Sequence, residues 1–187
     1  MYQVNGERNQ LVVDRLKHQF GEGVILTEEL LADMLCLTVA KPHLFNLLYF
    51  LQIDQPLRYN FLTTLCGVHK LETGELGVVY HLHSFENNHR IRIKAYASIE
   101  EPVFPTITTL WPSANWMERE TFEFFGIQFE GHPNLKRILN VDDFEGFPLR
   151  KDFPLEDPTR DDKDDLKGYI SLHDRDNEDR LLATGCC

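Results

Sequence analysis

The residues with most capacity for chemistry lie close together: Glu118, Arg119, Glu120 and Glu123, with His132 a little further on. Carboxylates and an imidazole at such spacing could move protons or hold a metal ion. Around them, however, the chain offers no nucleophile, no Gly-rich phosphate loop and no two-His metal motif. A stand-alone carboxylate- or metal-dependent enzyme is therefore disfavoured. His81 and His83 are two apart on a predicted strand and point the same way, as ligands can, but no third ligand of suitable spacing accompanies them. Cys36, Cys66, Cys186 and Cys187 form no CxxC pair, so neither structural zinc nor an iron–sulfur cluster is expected from this chain alone. Cys36 and Cys66 lie in apolar runs and read as buried thiols. Cys186-Cys187 could carry lipid, but nothing else in the chain supports that. The lack of a disulfide framework suits a reducing cytoplasm.

The element that must position the carboxylates is a helix. Ser113 is a candidate N-cap, Ala114 to Phe125 contains neither Gly nor Pro, and Gly126 stands where a left-handed C-cap is wanted. Met117, Phe124 and Phe125 share one face and are expected to be buried. Arg119 and Glu123, four apart, share another. The plain alternative is a solvated charged face. The crowding by Trp116, Phe122 and Phe124 favours a buried network instead, with Arg119 paired to Glu118, Glu120 or Glu123.

At 187 residues, 42% of them hydrophobic and 11% aromatic, the chain can bury a real core. A net charge of −11 argues against nucleic acid as a partner. Met1-Tyr2-Gln3-Val4 shows no signal-peptide pattern. The most apolar stretch, Leu44 to Ile53, is too short to span a bilayer, so membrane contact is expected only through partners. Helices are predicted over Asn9–Phe20 and Pro42–Ile53, with a short strand over Met34–Val39. Phe61–Val68, Leu76–Ser84 and His89–Ala97 read as strands joined by turns at Thr73-Gly74 and Asn87-Asn88. Leu76, Val78, Tyr80 and Leu82 alternate with Val79, His81 and His83, and Ile91, Ile93 and Ala95 with Arg90, Arg92 and Lys94. Such alternation marks half-buried antiparallel strands. The basic strip Arg90, Arg92 and Lys94 fits either a carboxylate-rich neighbour or a solvated face. The expected fold is α+β: an antiparallel sheet of about four strands, helices on one face, and an extended C-terminal segment. Residues 1–128 form the globular domain on this reading, and residues 129–187 a partner-binding segment with an acidic tail.

The stretch from Trp116 to Leu155 reads as a segment built to be gripped by other proteins, while the last region, Glu156 to Cys187, is the least like a core. Pro133, Pro148, Pro154 and Pro158 bar continuous helix or a central strand. Yet Phe129, Leu135, Ile138, Leu139, Phe144, Phe147, Leu149, Phe153 and Leu155 need cover. Arg137, Arg150, Lys151 and Asp152 would form a polar rim. The segment from Gly126 to Leu155 is therefore expected to leave the body and lie on partners. Beyond it, Asp157, Asp161, Asp162, Asp164 and Asp165 crowd a stretch that either stays flexible or orders on a partner through Tyr169, Ile170 and Leu172.

These residues also carry a resemblance. Glu118-Arg119-Glu120, Glu123, Phe125-Gly126-Ile127, Gly131-His132-Pro133 and Leu135-Lys136-Arg137-Ile138-Leu139 form an ordered series. It continues through Glu145-Gly146 and Pro148-Leu149-Arg150-Lys151-Asp152-Phe153-Pro154-Leu155. The series resembles the signature of the thirty-kilodalton subunit of respiratory complex I, known in bacteria as the C subunit of NADH-quinone oxidoreductase. Val79-Tyr80-His81-Leu82-His83-Ser84 is similar to that family's central strand, and the resemblance covers roughly Asn60 to Leu155. Glu123 stands where members more often have Asp. His69 stands where many have Asp, so no family role is carried to it. The resemblance implies a non-catalytic structural subunit of the peripheral arm, with no cofactor of its own. It would pack beside the hydrogenase-large-subunit-like quinone-site subunit and neighbouring iron–sulfur subunits. The complex passes electrons from NADH to quinone and couples this to proton export, with this arm on the cytoplasmic side of the bacterial inner membrane. The alternative is the equivalent subunit of a related membrane-bound hydrogenase or other quinone-reducing complex.

Overall fold

A computed structural model describes residues 2–154. In chain order the elements are α1 (Tyr2–Phe20), β1 (Ile25–Leu31), β2 (Met34–Val39), α2 (Leu44–Ile53), β3 (Phe61–Lys70), β4 (Glu75–Ser84), β5 (His89–Ser98), β6 (Val103–Pro105), α3 (Ala114–Phe125) and β7 (Gln128–Glu130). Strands β1 to β5 form one sheet in the order β1-β2-β5-β4-β3. β3–β4 and β4–β5 are antiparallel hairpins turning at Gly74 (φ 64°) and Asn88 (φ 46°). Tyr80 lies opposite Ile93 on one side and Leu65 on the other, so all three share a face. The face carrying Leu76, Val78, Tyr80, Leu82, Ile91 and Ile93 is fully buried. Val12, Val13 and Leu16 from α1, the α2 leucines and Ala114 from α3 join the same apolar cluster, so the helices cover one face.

The sheet departs from the sequence expectation in two ways. It is mixed, because β2 pairs with β5 in parallel, Leu37 opposite Ile93. It also has a fifth strand, β1, antiparallel to β2. β1 leaves Leu26 and Leu30 exposed at the sheet edge, so its Ile-Leu-Thr-Glu-Glu-Leu-Leu run carries no alternation of burial that a sequence reading could detect. On the opposite face of the sheet, Arg92 donates from Nε to His81 Nε2 (2.9 Å) and reaches Cys36 Sγ (3.6 Å), so His81 is engaged by the basic strip itself. Cys36 is buried as expected, whereas Cys66, on that same outer face of β3, is exposed.

α3 docks on β3, and the close approach is made at Gly67. A Cβ there would collide with the Phe125 ring. Met117, Phe124 and Phe125 are only half-buried; the fully buried positions of α3 are Ala114, Glu118, Thr121 and Glu123. The N-terminal cap also differs. Ser113 is helical (φ −62°, ψ −26°) and makes no side-chain cap bond, because Trp111 and Pro112 carbonyls already receive the first N–H groups of the turn. Gly126 is the left-handed C-cap the sequence called for, at φ 72°. β7 pairs with β6 in parallel and crosses the expected boundary at residue 128, and compact packing continues to Phe153. The acidic tail and its expected anchors lie outside the described residues.

Gly67→Ala forces the Phe125 ring or the whole of α3 to move. Overpacking of this kind costs about 1–3 kcal/mol, so the melting temperature of the chain should drop by several degrees. An unchanged melt would show that α3 is not seated on β3 at this point.

Candidate functional site

Neighbouring residues on a helix point about 100° apart. Glu118, Arg119 and Glu120 therefore cannot serve one network, whereas Glu123, one turn after Arg119, shares its face. Glu120 is exposed. Glu123 is 1% exposed and accepts backbone N–H groups from Ile138 (2.8 Å), Leu139 (3.0 Å) and Asn140. Burial pushes its carboxyl up, but these three donors and the nearby Arg137 outweigh burial and hold it below the ordinary value. Arg119 lies half-buried over the Trp116 ring and donates to the carbonyls of Lys136 (2.8 Å) and Arg137 (3.2 Å). The expected pairing of Arg119 with a carboxylate is thus replaced by backbone recognition. The carboxylate takes N–H groups, the guanidinium takes carbonyls, and the same short stretch of chain supplies both.

Further contacts extend the clamp. Arg137 donates to the carbonyls of Val141 (3.2 Å) and Phe144, closing a loop upon itself. Arg150 donates to Phe125 O (2.6 Å) and stacks on Phe147, 4.3 Å from the ring centre. It thereby satisfies a C-terminal carbonyl of α3 that the helix leaves free. Leu149 N–H joins Phe124 O (3.2 Å), and Lys151 N–H is accepted by His69 Nδ1 (3.1 Å). Gly126 is required here twice over, by its positive φ and because a Cβ would stand 2.5 Å from Phe147 and 2.6 Å from Arg150. The segment after Gly126 therefore packs along α3 and β3 as far as Phe153, rather than departing at once. His69, to which no role was carried, is one of its anchor points, with Asp152 3.7 Å away.

The exposed side chains of the clamp are mixed, with apolar ones set among charged ones such as Asp142 and Asp143. Leu139, Val141 and Leu149 are exposed, while Ile138, Phe144, Phe147, Pro148 and Phe153 are half-buried. Pro133, Glu145, Gly146, Lys151, Asp152 and Pro154 are exposed as well.

The second carboxylate looks inward. Glu118 is fully buried and accepts the Ile107 N–H (2.8 Å) and the Thr106 hydroxyl (2.6 Å). Burial pushes its carboxyl up to about 7 against both of those bonds. His132 Nε2 lies 3.9 Å away, too far for a hydrogen bond. Nothing in the sequence singled out Thr106 or Ile107, since residues on a loop before the helix carry no pattern that announces a donor to a buried carboxylate. Among the described residues, no group of three His, Cys, Asp or Glu side chains could hold a metal ion.

The chain is thus an α+β domain, a sheet with helices on one face, that bears an irregular segment stapled to α3 and β3. The chain belongs to the family described as respiratory-chain NADH dehydrogenase, 30 Kd subunit, which matches residues 37–159. The C subunit of NADH-quinone oxidoreductase from Roseiflexus castenholzii is 46% identical over 79% of this chain and 84% of its own length. The trypsin-resistant fragment (1-134) of Nqo5 aligns with TM-score 0.56 and 27% identity, over 68% of this chain and 99% of that one. The membrane-bound sulfane sulfur reductase, an archaeal respiratory membrane complex, contains a chain of the same fold (TM-score 0.65, 23% identity, 79% and 86% covered). Family membership makes the chain a subunit of the peripheral arm of complex I, so the oxidoreductase activity belongs to the complex. Among the described residues, no helix is long and apolar enough to cross a membrane.

Glu123→Gln keeps the side chain's size but removes its charge and one carboxylate oxygen. Charge-assisted hydrogen bonds contribute about 1.5–3 kcal/mol each, and water can reach part of the freed backbone, so a loss of about 2 kcal/mol is expected. Trypsin should then cut faster at Lys136 and Arg137. The acid dependence has a definite sign. A carboxyl held below its ordinary value of 4.5 stabilises the fold above that pH and ceases to as pH falls through its folded value. The wild-type clamp should loosen on acidification below about pH 4.5, and the variant should lack that component.

Proposed function

We propose that this chain is a non-catalytic scaffold whose segment from Gly126 onward docks onto other subunits of complex I. The hydrogenase-large-subunit-like quinone-site subunit and neighbouring iron–sulfur subunits are the chief partners on this reading. The chain contributes no electron carrier, works on the cytoplasmic side of the membrane, and reaches the membrane only through the complex. The observation that carries the proposal is the inversion of burial along the segment. Its backbone is held by Glu123, Arg119 and Arg137, and its own Arg150 ties it to the end of α3, while Leu139, Val141 and Leu149 are exposed. Fixing a chain in place by its backbone leaves its side chains free to meet another surface. It also meets the entropic cost of ordering before the partner arrives. On this reading the partner-binding part starts at 129 and is stapled to the body as far as Phe153 rather than separate from it. That Nqo5 yields a trypsin-resistant fragment (1-134) supports a body more resistant than the chain beyond it.

Fully burying an aliphatic side chain contributes about 1.5–3 kcal/mol, and each 1.4 kcal/mol is about tenfold in affinity. Leu139→Asp with Val141→Asp should therefore weaken assembly roughly 100-fold or more, while the isolated chain melts as before. Co-purification of the partner subunits with the double variant at wild-type yield would rule the docking surface out. So would intact assembly of a chain truncated after Gln128.

A further inference from the structure

Glu118 has a geometry that the docking role does not use. Its carboxylate is completely buried, and both oxygens are in use, Oε1 with Ile107 N–H and Oε2 with the Thr106 hydroxyl. Within 4.0 Å its one ionisable nitrogen, among the described residues, is His132 Nε2. That imidazole is fixed in its neutral form by the main chain. Nδ1 accepts the Asn134 N–H (3.0 Å), so it is unprotonated. Nε2 faces the Asn115 carbonyl (3.3 Å), so it carries the hydrogen. Charging His132 would place a second N–H against that of Asn134. Burial, and then Arg119, also disfavour the charged ring, outweighing the Asn115 bond.

The remaining groups around Glu118 are uncharged. From the sheet, Tyr80 on β4 is the ionisable side chain closest in influence; burial, reinforced by Glu118, keeps its hydroxyl protonated. From the loop after β6 come Thr106 and Ile107, and from α3 itself Arg119 turns away to the carbonyls of Lys136 and Arg137. A buried carboxylate with no counter-cation favours its neutral form, and burial raises the Glu118 carboxyl to about 7.

The neutral form needs a route for its proton, and the same cluster provides one. Thr106 Oγ1 lies 2.6 Å from Glu118 Oε2 and 3.1 Å from Thr108 Oγ1, and Thr108 is half-buried at the surface. Either threonine can donate to the other.

We propose that Glu118 is a single-proton binding site that exchanges with solvent through the hydroxyls of Thr106 and Thr108. In the ionised state Thr106 O–H donates to Glu118, and Thr108 O–H to Thr106. A proton arriving at Thr108 Oγ1 releases that hydroxyl's own hydrogen to Thr106, and Thr106 releases its hydrogen to Glu118 Oε2. One proton has then entered, and every hydrogen bond of the chain has reversed. Glu118–H now donates to Thr106, Thr106 to Thr108, and Thr108 to water. His132 stays neutral throughout. This site is independent of the docking surface, and its test does not involve partners.

The test is a pH titration of side-chain carboxyl carbons by NMR on the full chain, with Glu118 assigned through bonds from its own amide. Glu118 should titrate with a midpoint near 7, apart from the other glutamates. A midpoint in the ordinary carboxylate range would overturn the proposal. Because the folded value lies above 4.5, proton binding favours the fold most at acid pH, and that contribution is lost as pH rises from about 4.5 to about 7. Thr106→Val removes a donor to the ionised form and should move the midpoint further up; a spacer role alone would leave it where it was. Thr108→Val should leave the midpoint in place and slow exchange broadening of the Glu118 signal. Unchanged exchange in that variant would overturn the threonine route.

Discussion

The segment that follows Gly126 depends on one carboxylate. Glu123 receives three consecutive backbone N–H groups, those of Ile138, Leu139 and Asn140. Between Pro133 and Pro148 the chain forms neither helix nor strand, so regular pairing does not satisfy its main chain. Side chains from α3 must do so instead. Glu123 supplies the acceptors, Arg119 supplies donors to the preceding carbonyls, and Arg150 closes the end of the helix on Phe125. Irregular backbone thus becomes ordered without regular secondary structure.

That arrangement transfers the burden to α3. The helix must be held firmly if it is to hold the segment, and it sits on β3 where Gly67 admits the Phe125 ring. β3 in turn is bound along its length to β4, whose core face is fully buried. The sheet, the helix and the clamp form a sequence of supports, each fixing the next. The apolar side chains at its end, Leu139, Val141 and Leu149, are presented rather than sequestered.

Glu118 and Glu123 show how position on a helix separates two identical side chains. Glu123 meets charge-stabilising N–H groups and is held below its usual value. Glu118, five residues earlier and turned into the core, meets two donors but no cation, and burial raises it. The outcome follows from environment and not from residue type. The same distinction explains why a reading of charges alone placed Arg119 between them as a counter-ion.

Much of the fold was legible. The alternation through β4 and β5, the unbroken run of α3 and its Gly126 stop each follow from periodicity and backbone chemistry that single residues express. The ordered motifs from Glu118 to Leu155 identified the family, and with it the subunit's place in an oxidoreductase. The sequence did not determine the parallel pairing of β2 with β5, because neighbours in a sheet are chosen by how helices pack across it. Nor did it reveal β1, whose exposed edge imposes no pattern. It named every carboxylate of the site but not one of their partners. Those partners are main-chain groups and the Thr106 hydroxyl, brought close only when the loop, the helix and the segment meet. Every residue but proline carries the same N–H and C=O, so which of them a side chain will find is decided in three dimensions.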